Sequence, residues 1–369
     1  MSLETPEIAA AGSLKKGKES WPVEMTANSR LAAVDFNELP FGKIFSDHML
    51  VADYENGAWR DVGIRPFGDL TLSPACLTLH YGQSIFEGIK AYKNKDGQIG
   101  IFRPEKNYER MLRSAERMSM PAIPYEIFMD GMWQLVQLER DWIPEHAGSS
   151  LYIRPVFFAA DGFIGVRPGS KYTFLIMTSP SGPYYSKPLR LYVEDYFVRA
   201  AEGGVGAAKT AGNYAASLYP TEQALKKGCD QILWTDAKEH KYLQECGTMN
   251  LFVVIDGVAI TASLEQDSIL AGVTRDSVVE ILKERGIPVE ERPLSIDEVL
   301  AAHKAGTLQE VFGTGTAANI IYIKALQYGD QTIPLSAPEQ WKLAPSLLEE
   351  LTGIHYGRIE DHRNWMWRG

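Results

Sequence analysis

A single lysine in a run of small residues is the feature of this sequence with the clearest chemical potential. Lys209 lies in residues 203–214, among glycines and alanines. Glycines let a backbone approach a bulky group closely, and an apolar setting would partly desolvate the ammonium and favour the neutral amine. A neutral amine can attack a carbonyl carbon and form a Schiff base. Most lysines are solvated, so an ordinary surface-loop lysine is the competing interpretation.

A carboxylate with a possible electronic role follows between two strand-like runs. Glu245 opens residues 245–250, and a carboxylate that enters a buried segment needs a cationic partner. A pyridinium nitrogen would serve, because an ionised acid beside it keeps the ring protonated and makes the ring an electron sink. The alternative is a turn carboxylate that caps Gly247 or Thr248. The residues alone leave both interpretations open.

Two further segments have the residue types of anion sites. Residues 270–276 precede a predicted helix, so free N–H groups around Val273 and Thr274 would point at whatever lies before it. Residues 312–318 have the small side chains of a turn whose amides can hold a carboxylate or a phosphate. A helix cap at Thr274 and a simple tight turn explain the same patterns. Neither segment is a Walker loop, because no Gly-Lys-Ser/Thr follows.

Composition narrows the class of protein. A chain of 369 residues with 45% hydrophobic and 23% charged residues predicts a globular protein of two domains. The formal net charge of −10 argues against a general nucleic-acid binder. No apolar run approaches the roughly 18 residues of a membrane span. Lys15, Lys16 and Lys18 are not followed by an apolar stretch, so we expect no secretory signal and no membrane partner.

Cysteine and histidine usage indicates a reducing compartment without a metal site. The three cysteines, Cys76, Cys229 and Cys246, are widely spaced and form neither a disulfide framework nor a local zinc motif. The seven histidines show no metal-ligand spacing. We therefore expect a cytoplasmic protein that binds no metal.

The pattern along the chain predicts the elements that must position these groups. We expect an N-terminal extension over residues 1–40, its first 30 or so residues mobile or loosely draped, a small α/β domain at 41–180, a linker at 181–188, and a large domain at 189–369 that carries Lys209. A helix or turn entry is predicted at residues 82–88, and a hairpin turn at Asp256-Gly257. Predicted strands are 78–81, 150–160, 172–178, 189–198, 231–236 and 249–255; predicted helices are 104–118, 124–142, 274–285 and 296–304.

In this order the segments resemble the branched-chain amino acid aminotransferases, a family of fold-type IV pyridoxal-phosphate enzymes. The resemblance runs from about Phe41 to near the C-terminus. It rests on residues 41–50, 79–91, 102–104, 107–110 and 151–155, together with the lysine, glutamate and Gly-Thr-Ala segments. It implies a mixed α and β (α+β) fold of two domains, with pyridoxal 5'-phosphate bound at their interface.

The resemblance also implies roles for the cofactor site. Lys209 matches the Schiff-base lysine that later moves a proton between the substrate Cα and the cofactor C4′. Tyr214 matches the hydrogen-bond donor to the phenolic oxygen, and Glu245 the partner of the pyridine nitrogen. The phosphate would be bound by Arg110, Val273, Thr274 and Thr316. Without the resemblance, Arg110 would be taken for a helix-surface arginine.

A substrate pocket follows from the same resemblance. Arg154 matches the arginine that some members use for the side-chain carboxylate of glutamate, although it could instead pair with a local acid. Thr316 and Ala317 would hold the substrate α-carboxylate through their amides. The apolar pocket would include Phe41, Phe86, Tyr152 and Thr248, and positions across a homodimer interface match Tyr81, Ile164 and Val166. The aromatic residues would otherwise be assigned to the core.

The implied reaction is exchange of amino groups between L-leucine, L-isoleucine or L-valine and 2-oxoglutarate. Residues 318–321 lack the Cys-x-x-Cys pair of some members, so we expect no thiol switch there, and the linker after Tyr184 is short. Rival functions within the same fold are a D-amino-acid aminotransferase and an aminodeoxychorismate lyase. A dinucleotide-dependent dehydrogenase is disfavoured because no Gly-x-Gly-x-x-Gly follows an early strand. A non-catalytic binding protein is disfavoured because every chemical residue is present.

Overall fold

The computed structural model describes residues 19–369, which form two β-sheets with helices packed against them. The strands are β1 His48–Glu55, β2 Ala58–Pro66, β3 Ser84–Phe86, β4 Ile89–Lys93, β5 Ile99–Phe102, β6 Ser150–Ala159, β7 Lys171–Ser181, β8 Leu189–Val193, β9 Gln231–Thr235, β10 Leu243–Cys246, β11 Met249–Ile255, β12 Val258–Thr261, β13 Val289–Glu291, β14 Leu308–Gly315, β15 Asn319–Tyr328, β16 Gln331–Pro334 and β17 Met366–Trp367. The α-helices are α1 Leu77–Tyr81, α2 Pro104–Arg117, α3 Gly131–Leu138, α4 Ala211–Ala215, α5 Leu218–Lys226, α6 Val273–Glu284, α7 Ile296–Ala305 and α8 Leu343–His355.

The first sheet is antiparallel throughout and has the order β17-β5-β4-β6-β7-β1-β2, with β3 beside β6. Its inner face packs on α2 and α3 around a core that includes Phe128, Phe157 and Phe174. Strand β17 comes from the C-terminus, so the end of the chain returns to the sheet built by its first half. The mixed α and β architecture predicted from the sequence is confirmed.

The second sheet curves until six of its strands close on themselves. The order is β10-β9-β8-β15-β14-β11-β12-β13, and β10 also pairs with β11, which completes the ring. Strand β8 runs parallel to both β9 and β15, whereas most other neighbours are antiparallel. The interior of this closed sheet is filled by branched aliphatic side chains such as Leu191, Val253 and Val311. A rigid, closed sheet is a suitable support for a site at its rim.

Local sequence explains several boundaries. Pro104 occupies the first turn of α2, where its missing N–H is not needed. The Ser295 hydroxyl accepts a hydrogen bond from Glu298 N and caps α7. Asp256 and Gly257 both have positive φ, 49° and 78°, and join β11 to β12 as predicted, because such a turn matches the twist of a hairpin.

Three predictions about local structure need correction. Residues 78–81 are not a strand but belong to α1, which ends where Gly82 takes a left-handed conformation and its N–H bonds to Thr78 O. Residues 82–88, predicted as a helix or turn entry, contain β3. The strand predicted at residues 189–198 ends at Val193.

The start of the described chain is held more firmly than predicted. Trp21 N donates to Gln134 Oε1, Val23 bridges to Ile64, and Thr26 N donates to His48 Nε2. Residues 19–30 are therefore tied to the first sheet and to α3 rather than loosely draped. The predictions for Lys15, Lys16 and Lys18 lie outside the described residues.

The predicted linker, residues 181–188, lies between β7 of the first sheet and β8 of the second sheet. The division into domains at 41–180 and 189–369 stays a prediction, with the addition that β17 pairs in the first sheet. Among residues 19–369, no helix is both long and apolar enough to cross a membrane.

Candidate active site

A cleft of about 540 Å³ lies where the two sheets meet and collects most of the residues singled out from the sequence. Its size is that of a site for a small ligand. Strands of both sheets, the loop before α4 and the start of α6 line it. The predicted residues on its wall are Phe41, Phe86, Arg110, Tyr152, Arg154, Lys209, Tyr214, Thr248, Val273, Thr274, Thr316 and Ala317.

The backbone of Lys209 is fixed to the first sheet. Phe86 N donates to Lys209 O at 3.1 Å, and Lys209 N donates to Ser114 Oγ of α2 at 3.0 Å. Thr210 bridges to Ile85 of β3. The glycine-rich loop of the second half therefore carries its lysine across to the first half, which gives the side chain a defined origin.

The Lys209 amine faces the cleft rather than bulk solvent. Its Nζ atom donates to the Tyr214 hydroxyl at 2.8 Å and lies 4.9 Å from the centre of the Phe86 ring. The Tyr214 and Phe86 rings are themselves 4.8 Å apart. The half-buried position and the fixed partner argue against an ordinary solvated loop lysine.

Glu245 lies buried behind one wall of the cleft, paired with a cation. Arg199 Nε lies 2.6 Å from Oε2, while Oε1 accepts from Leu270 N at 3.0 Å and from Asn250 Nδ2 at 3.2 Å. Burial raises the pKa of Glu245, and the charges of Arg199 and Lys209 oppose that rise. These partners differ from the cap on Gly247 or Thr248 that the sequence left open. Asn250 and Leu270, which hold the carboxylate, line the cleft directly.

Arg110 is 3% exposed and is not a helix-surface arginine. Its Nε and Nη2 atoms donate to the two oxygens of Glu87 at 2.8 and 2.7 Å, and Nη1 donates to Ala271 O at 2.9 Å. Burial favours the neutral form of Glu87, but the guanidinium of Arg110 outweighs it and lowers the pKa of Glu87 overall. The bidentate pair fixes the guanidinium plane.

The N-terminus of α6 points at the cleft beside Arg110. Val273 and Thr274 form its first turn, preceded by Gly272, and all three line the cleft. The turn between β14 and β15 places Thr316 and Ala317 nearby. N–H groups at a helix start and at a tight turn favour anions. This end of the cleft thus combines a cation with two sets of amides.

The opposite side of the cleft is aromatic. Phe41 packs edge-on against Tyr152 and against Tyr184, with ring centres 4.8 Å apart in each case. Arg154 Nη2 donates to the Tyr152 hydroxyl at 3.0 Å, and its guanidinium lies over the Phe86 ring. Among the residues the structure describes, no acid lies within 4.0 Å of Arg154, so it does not pair with a local carboxylate.

Gly88 makes room for one of these aromatic side chains. A Cβ atom at this position would collide with the Tyr152 hydroxyl. The residue lies between β3 and β4, where Glu87 N donates to Pro155 O of β6. The interruption between the two short strands lets Glu87 point at Arg110 while Tyr152 covers Gly88.

Three residues predicted to reach the substrate pocket across a dimer interface do not line the cleft of their own chain. Tyr81, Ile164 and Val166 are 41%, 67% and 90% exposed, respectively, and none lines the cleft. Ile164 and Val166 lie in the loop between β6 and β7, and Tyr81 ends α1. Exposed apolar side chains of this kind are typical of a contact surface. Their proposed role across a dimer interface is untested by one chain.

Several residues that shape the site were not singled out from the sequence. Glu87 lies inside a segment quoted for the resemblance, but nothing local shows its pairing with Arg110. Arg199 gives no sequence signal at all. Val156 continues the alternation Tyr152, Arg154 on β6, so a period of two could have found it. The other additional lining residues include Met177, Tyr184, Tyr185, Asn250, Leu270 and Thr314.

A second cleft, of about 620 Å³, lies on the other side of β10. Its wall includes Glu202, Asp236, Glu239 and Glu265 but none of the predicted site residues. Size alone would favour this second cleft, whereas the chemistry favours the first, where amine, guanidinium and aromatic groups converge. Within residues 19–369, no cluster of His, Cys, Asp or Glu could hold a metal ion.

Comparison with known proteins gives consistent matches over most of the chain. Residues 84–326 match the family described as amino-transferase class IV. The Bacillus subtilis (strain 168) branched-chain-amino-acid transaminase 1 is 48% identical over 336 residues, which are 90% of this chain and 94% of that protein. The Mycolicibacterium smegmatis branched-chain-amino-acid aminotransferase is 40% identical and is covered over 91% of its length, against 89% of this chain.

Solved structures agree with these sequence matches. The branched-chain amino acid aminotransferase of Escherichia coli superposes with a TM-score of 0.72 at 27% identity, covering 87% of this chain and 98% of that one. The T.th. branched-chain amino acid aminotransferase complexed with N-(5'-phosphopyridoxyl)-L-glutamate gives a TM-score of 0.67 at 27% identity, over 86% of this chain and 97% of that one.

Proposed function

Because this chain belongs to the class IV aminotransferases, we propose that it exchanges amino groups between L-leucine, L-isoleucine or L-valine and 2-oxoglutarate. The products are branched-chain 2-oxo acids and L-glutamate. One observation carries the proposal: the Lys209 amine faces a cleft that has an anion site near Arg110 and α6, and a buried carboxylate, Glu245, behind its wall. The relatives named above, which are similar over about nine-tenths of the chain, are named branched-chain-amino-acid transaminase and aminotransferase, which supports this class of substrate.

The residues present fit pyridoxal 5'-phosphate as the cofactor. Its phosphate dianion suits Arg110, the first turn of α6 at Val273 and Thr274, and Thr316. Its pyridine nitrogen suits Glu245, its phenolic oxygen Tyr214, and its aldehyde carbon the amine of Lys209. The buried Glu245 carboxylate supports this assignment, because an acid held by Arg199 can stay ionised where a protonated ring nitrogen needs a partner.

The chemistry divides between cofactor and chain. When bound, the cofactor supplies an electron sink for the charge that develops at the substrate Cα. With the cofactor bound, the free Lys209 amine would remove the substrate Cα proton and return a proton at C4′. The Tyr214 hydroxyl orients that amine from 2.8 Å away. The Phe86 ring, 4.9 Å from the amine, and the anchored Lys209 backbone limit the positions that the amine can take.

Substrate recognition needs one pocket for two kinds of side chain. Phe41, Phe86 and Tyr152 form an apolar wall for a branched side chain, whose burial contributes about 1.5–3 kcal/mol. Arg154, without an acid of its own among the described residues, suits the side-chain carboxylate of glutamate. The amides at Thr316 and Ala317 suit the α-carboxylate that all these substrates share.

A homodimer follows as part of the same proposal. Tyr81, Ile164 and Val166 are exposed apolar residues of the first half, and we place them over the pocket of a partner subunit. Sedimentation analysis of the active protein should give a dimer or a multiple of it, and an active monomer would contradict this part. We also propose a cytoplasmic location, because all three cysteines are buried free thiols, which suits a reducing compartment.

A substrate panel tests the reaction itself. With 2-oxoglutarate as acceptor, purified protein should form glutamate from L-leucine, L-isoleucine and L-valine, but not from D-alanine, and should not convert aminodeoxychorismate. Lys209→Ala should abolish turnover while the protein still binds cofactor, since the phosphate site and Glu245 are untouched. Unchanged transamination by Lys209→Ala, or activity with D-alanine only, would reject the proposal.

A further inference from the structure

Lys90 is a buried cation for which the proposed reaction has so far no use. The residue lies on β4 and is 5% exposed. Its Nζ atom donates to Ala317 O at 2.8 Å, in the turn between β14 and β15. Within residues 19–369 no Asp or Glu lies within 4.0 Å of this ammonium. A charge buried without a counterion is costly, so its position calls for an explanation.

The surroundings of Lys90 connect it to the anion end of the cleft. A small cavity of about 10 Å³, about the space for one water molecule, is shared by Lys90, Asn107, Thr274, Thr316 and Asn319. Thr274 and Thr316 also line the main cleft. The ammonium therefore lies directly behind the turn and the helix start that face the ligand.

We propose that Lys90 is a positioning residue for the α-carboxylate of the substrate. It acts through the turn at residues 315–318, which would bind that carboxylate. The inference rests on the proposed function, because it assumes a substrate carboxylate at that turn. Lys90 does not touch the substrate. Its ammonium fixes Ala317 O and so holds the turn whose Thr316 and Ala317 amides suit the carboxylate. Its positive charge lies behind those donors, where it favours a bound anion.

Charge balance supports the same conclusion. Burial lowers the pKa of Lys90 to about 7, because no acid offsets the desolvation of its ammonium. An anion bound on the other side of the turn supplies the missing counter-charge. Carboxylate binding and a positive charge at Lys90 thus favour one another, whereas a purely structural lysine would only hold the turn in place.

Lys93 offers a matched control on the same strand. Its side chain is 13% exposed, and its Nζ atom lies 3.2 Å from Glu145, whose side chain is 76% exposed. An ion pair with so exposed a partner contributes little to stability. Lys93→Met removes the same side-chain charge as Lys90→Met but leaves the turn at residues 315–318 untouched.

The experiment compares a carboxylate with its neutral analogue on the cofactor-loaded protein. Calorimetry would give the Kd of 4-methylvalerate and of 4-methylvaleramide for wild type, Lys90→Met, Lys90→Arg and Lys93→Met. We expect Lys90→Met to weaken the carboxylate at least about tenfold, the effect of losing about 1.4 kcal/mol, and to leave the amide within about twofold. Lys90→Arg should recover part of the loss, and Lys93→Met should match wild type.

The outcomes separate this inference from the proposed function. Equal weakening of acid and amide, or none, overturns the role of Lys90 while wild-type transamination continues. Wild-type protein that does not transaminate L-leucine overturns the proposed function instead. If Lys90→Met does not fold, Lys90→Gln takes its place and is read by the same ratio of the two Kd values.

Discussion

The Nζ atom of Lys209 lies 2.8 Å from the Tyr214 hydroxyl, and both side chains lie against the ring of Phe86. Phe86 belongs to the first sheet, and its own N–H holds the Lys209 carbonyl. Phe86 thus positions the amine through its own N–H at the Lys209 backbone, and its ring contacts both the amine and the phenol ring. Such preorganisation is what a proton-transfer group needs before substrate arrives.

Replacing Tyr214 by Phe tests this orientation. The variant loses one hydrogen bond to the amine, and we expect kcat/KM with L-leucine to fall about tenfold or more, since about 1.4 kcal/mol corresponds to tenfold. Steady-state kinetics and the visible spectrum of the bound cofactor would measure the effect. Tyr219→Phe is the control, because Tyr219 is an exposed tyrosine on the neighbouring helix α5. Equal kinetics in both variants would show that the contact is not used.

Glu245→Gln tests the electronic role of the buried acid. Glutamine keeps the shape but carries no charge, so a protonated ring nitrogen would lose its partner. We expect kcat to fall about 100-fold, which corresponds to about 2.7 kcal/mol, while the cofactor content measured after purification stays near one per chain. The control is Glu194→Gln, a buried glutamate that accepts hydrogen bonds from Tyr196 N and Phe197 N and lies outside the cleft. A fully active Glu245→Gln would remove the acid from the mechanism.

Regular elements could be predicted where the pattern was long and local. The helix at residues 104–118 and the strand at 249–255 were found nearly to the residue, as α2 and β11, because a first-turn proline and an unbroken apolar run mark them. Residues 78–81 were misassigned as a strand. A helix of five residues is too short to show the helical period of apolar residues. The left-handed conformation of Gly82, which ends the helix, cannot be read from the neighbouring sequence.

For the site too, what could be predicted is what local sequence indicates. Lys209 and Glu245 have distinctive neighbours in sequence, and the resemblance to a known family gave each an expected role. The ion-pair partners of Glu245 and Arg110 could not be predicted, because each pair forms only through tertiary packing. Arg199 meets Glu245 within the second half of the chain, and Glu87 meets Arg110 within the first half. The position of Lys90 behind the substrate turn has the same origin, since 227 residues separate it from Ala317.

Arg154→Met tests how one pocket accepts both a branched side chain and that of glutamate. The change removes a charge-assisted hydrogen bond of about 1.5–3 kcal/mol, so KM for 2-oxoglutarate should rise roughly 10- to 150-fold. Exchange between L-leucine and a branched 2-oxo acid, which has no second carboxylate, should change less than about threefold. Arg60→Met, at an exposed pair with Glu55, is the control. Equal losses with both acceptors would contradict the assignment.

Lys90 also predicts a pH dependence of stability. In the folded protein burial lowers the pKa of Lys90 to about 7 from the 10.5 of a free lysine. Two groups near it stay neutral between these values, since burial and the charge of Lys90 lower the pKa of His355 to about 3, and burial raises the pKa of Tyr92 well above 10. Across that window the unfolded chain keeps a proton that the folded protein has lost.

Raising the pH from 7 to 10 should therefore stabilise wild type relative to Lys90→Met, because stability rises with pH wherever the unfolded state binds more protons. The relative gain is on the order of 4 kcal/mol if the whole shift is expressed. Chemical denaturation of both proteins at several pH values would measure it, and the difference between them cancels titrations that they share. Lys93→Met should follow wild type, because the Lys93 ammonium, unlike that of Lys90, is paired with a carboxylate, Glu145. Parallel curves for wild type and Lys90→Met would mean that the buried amine keeps its ordinary proton affinity, and the charge-balance argument for the carboxylate turn would fail with it.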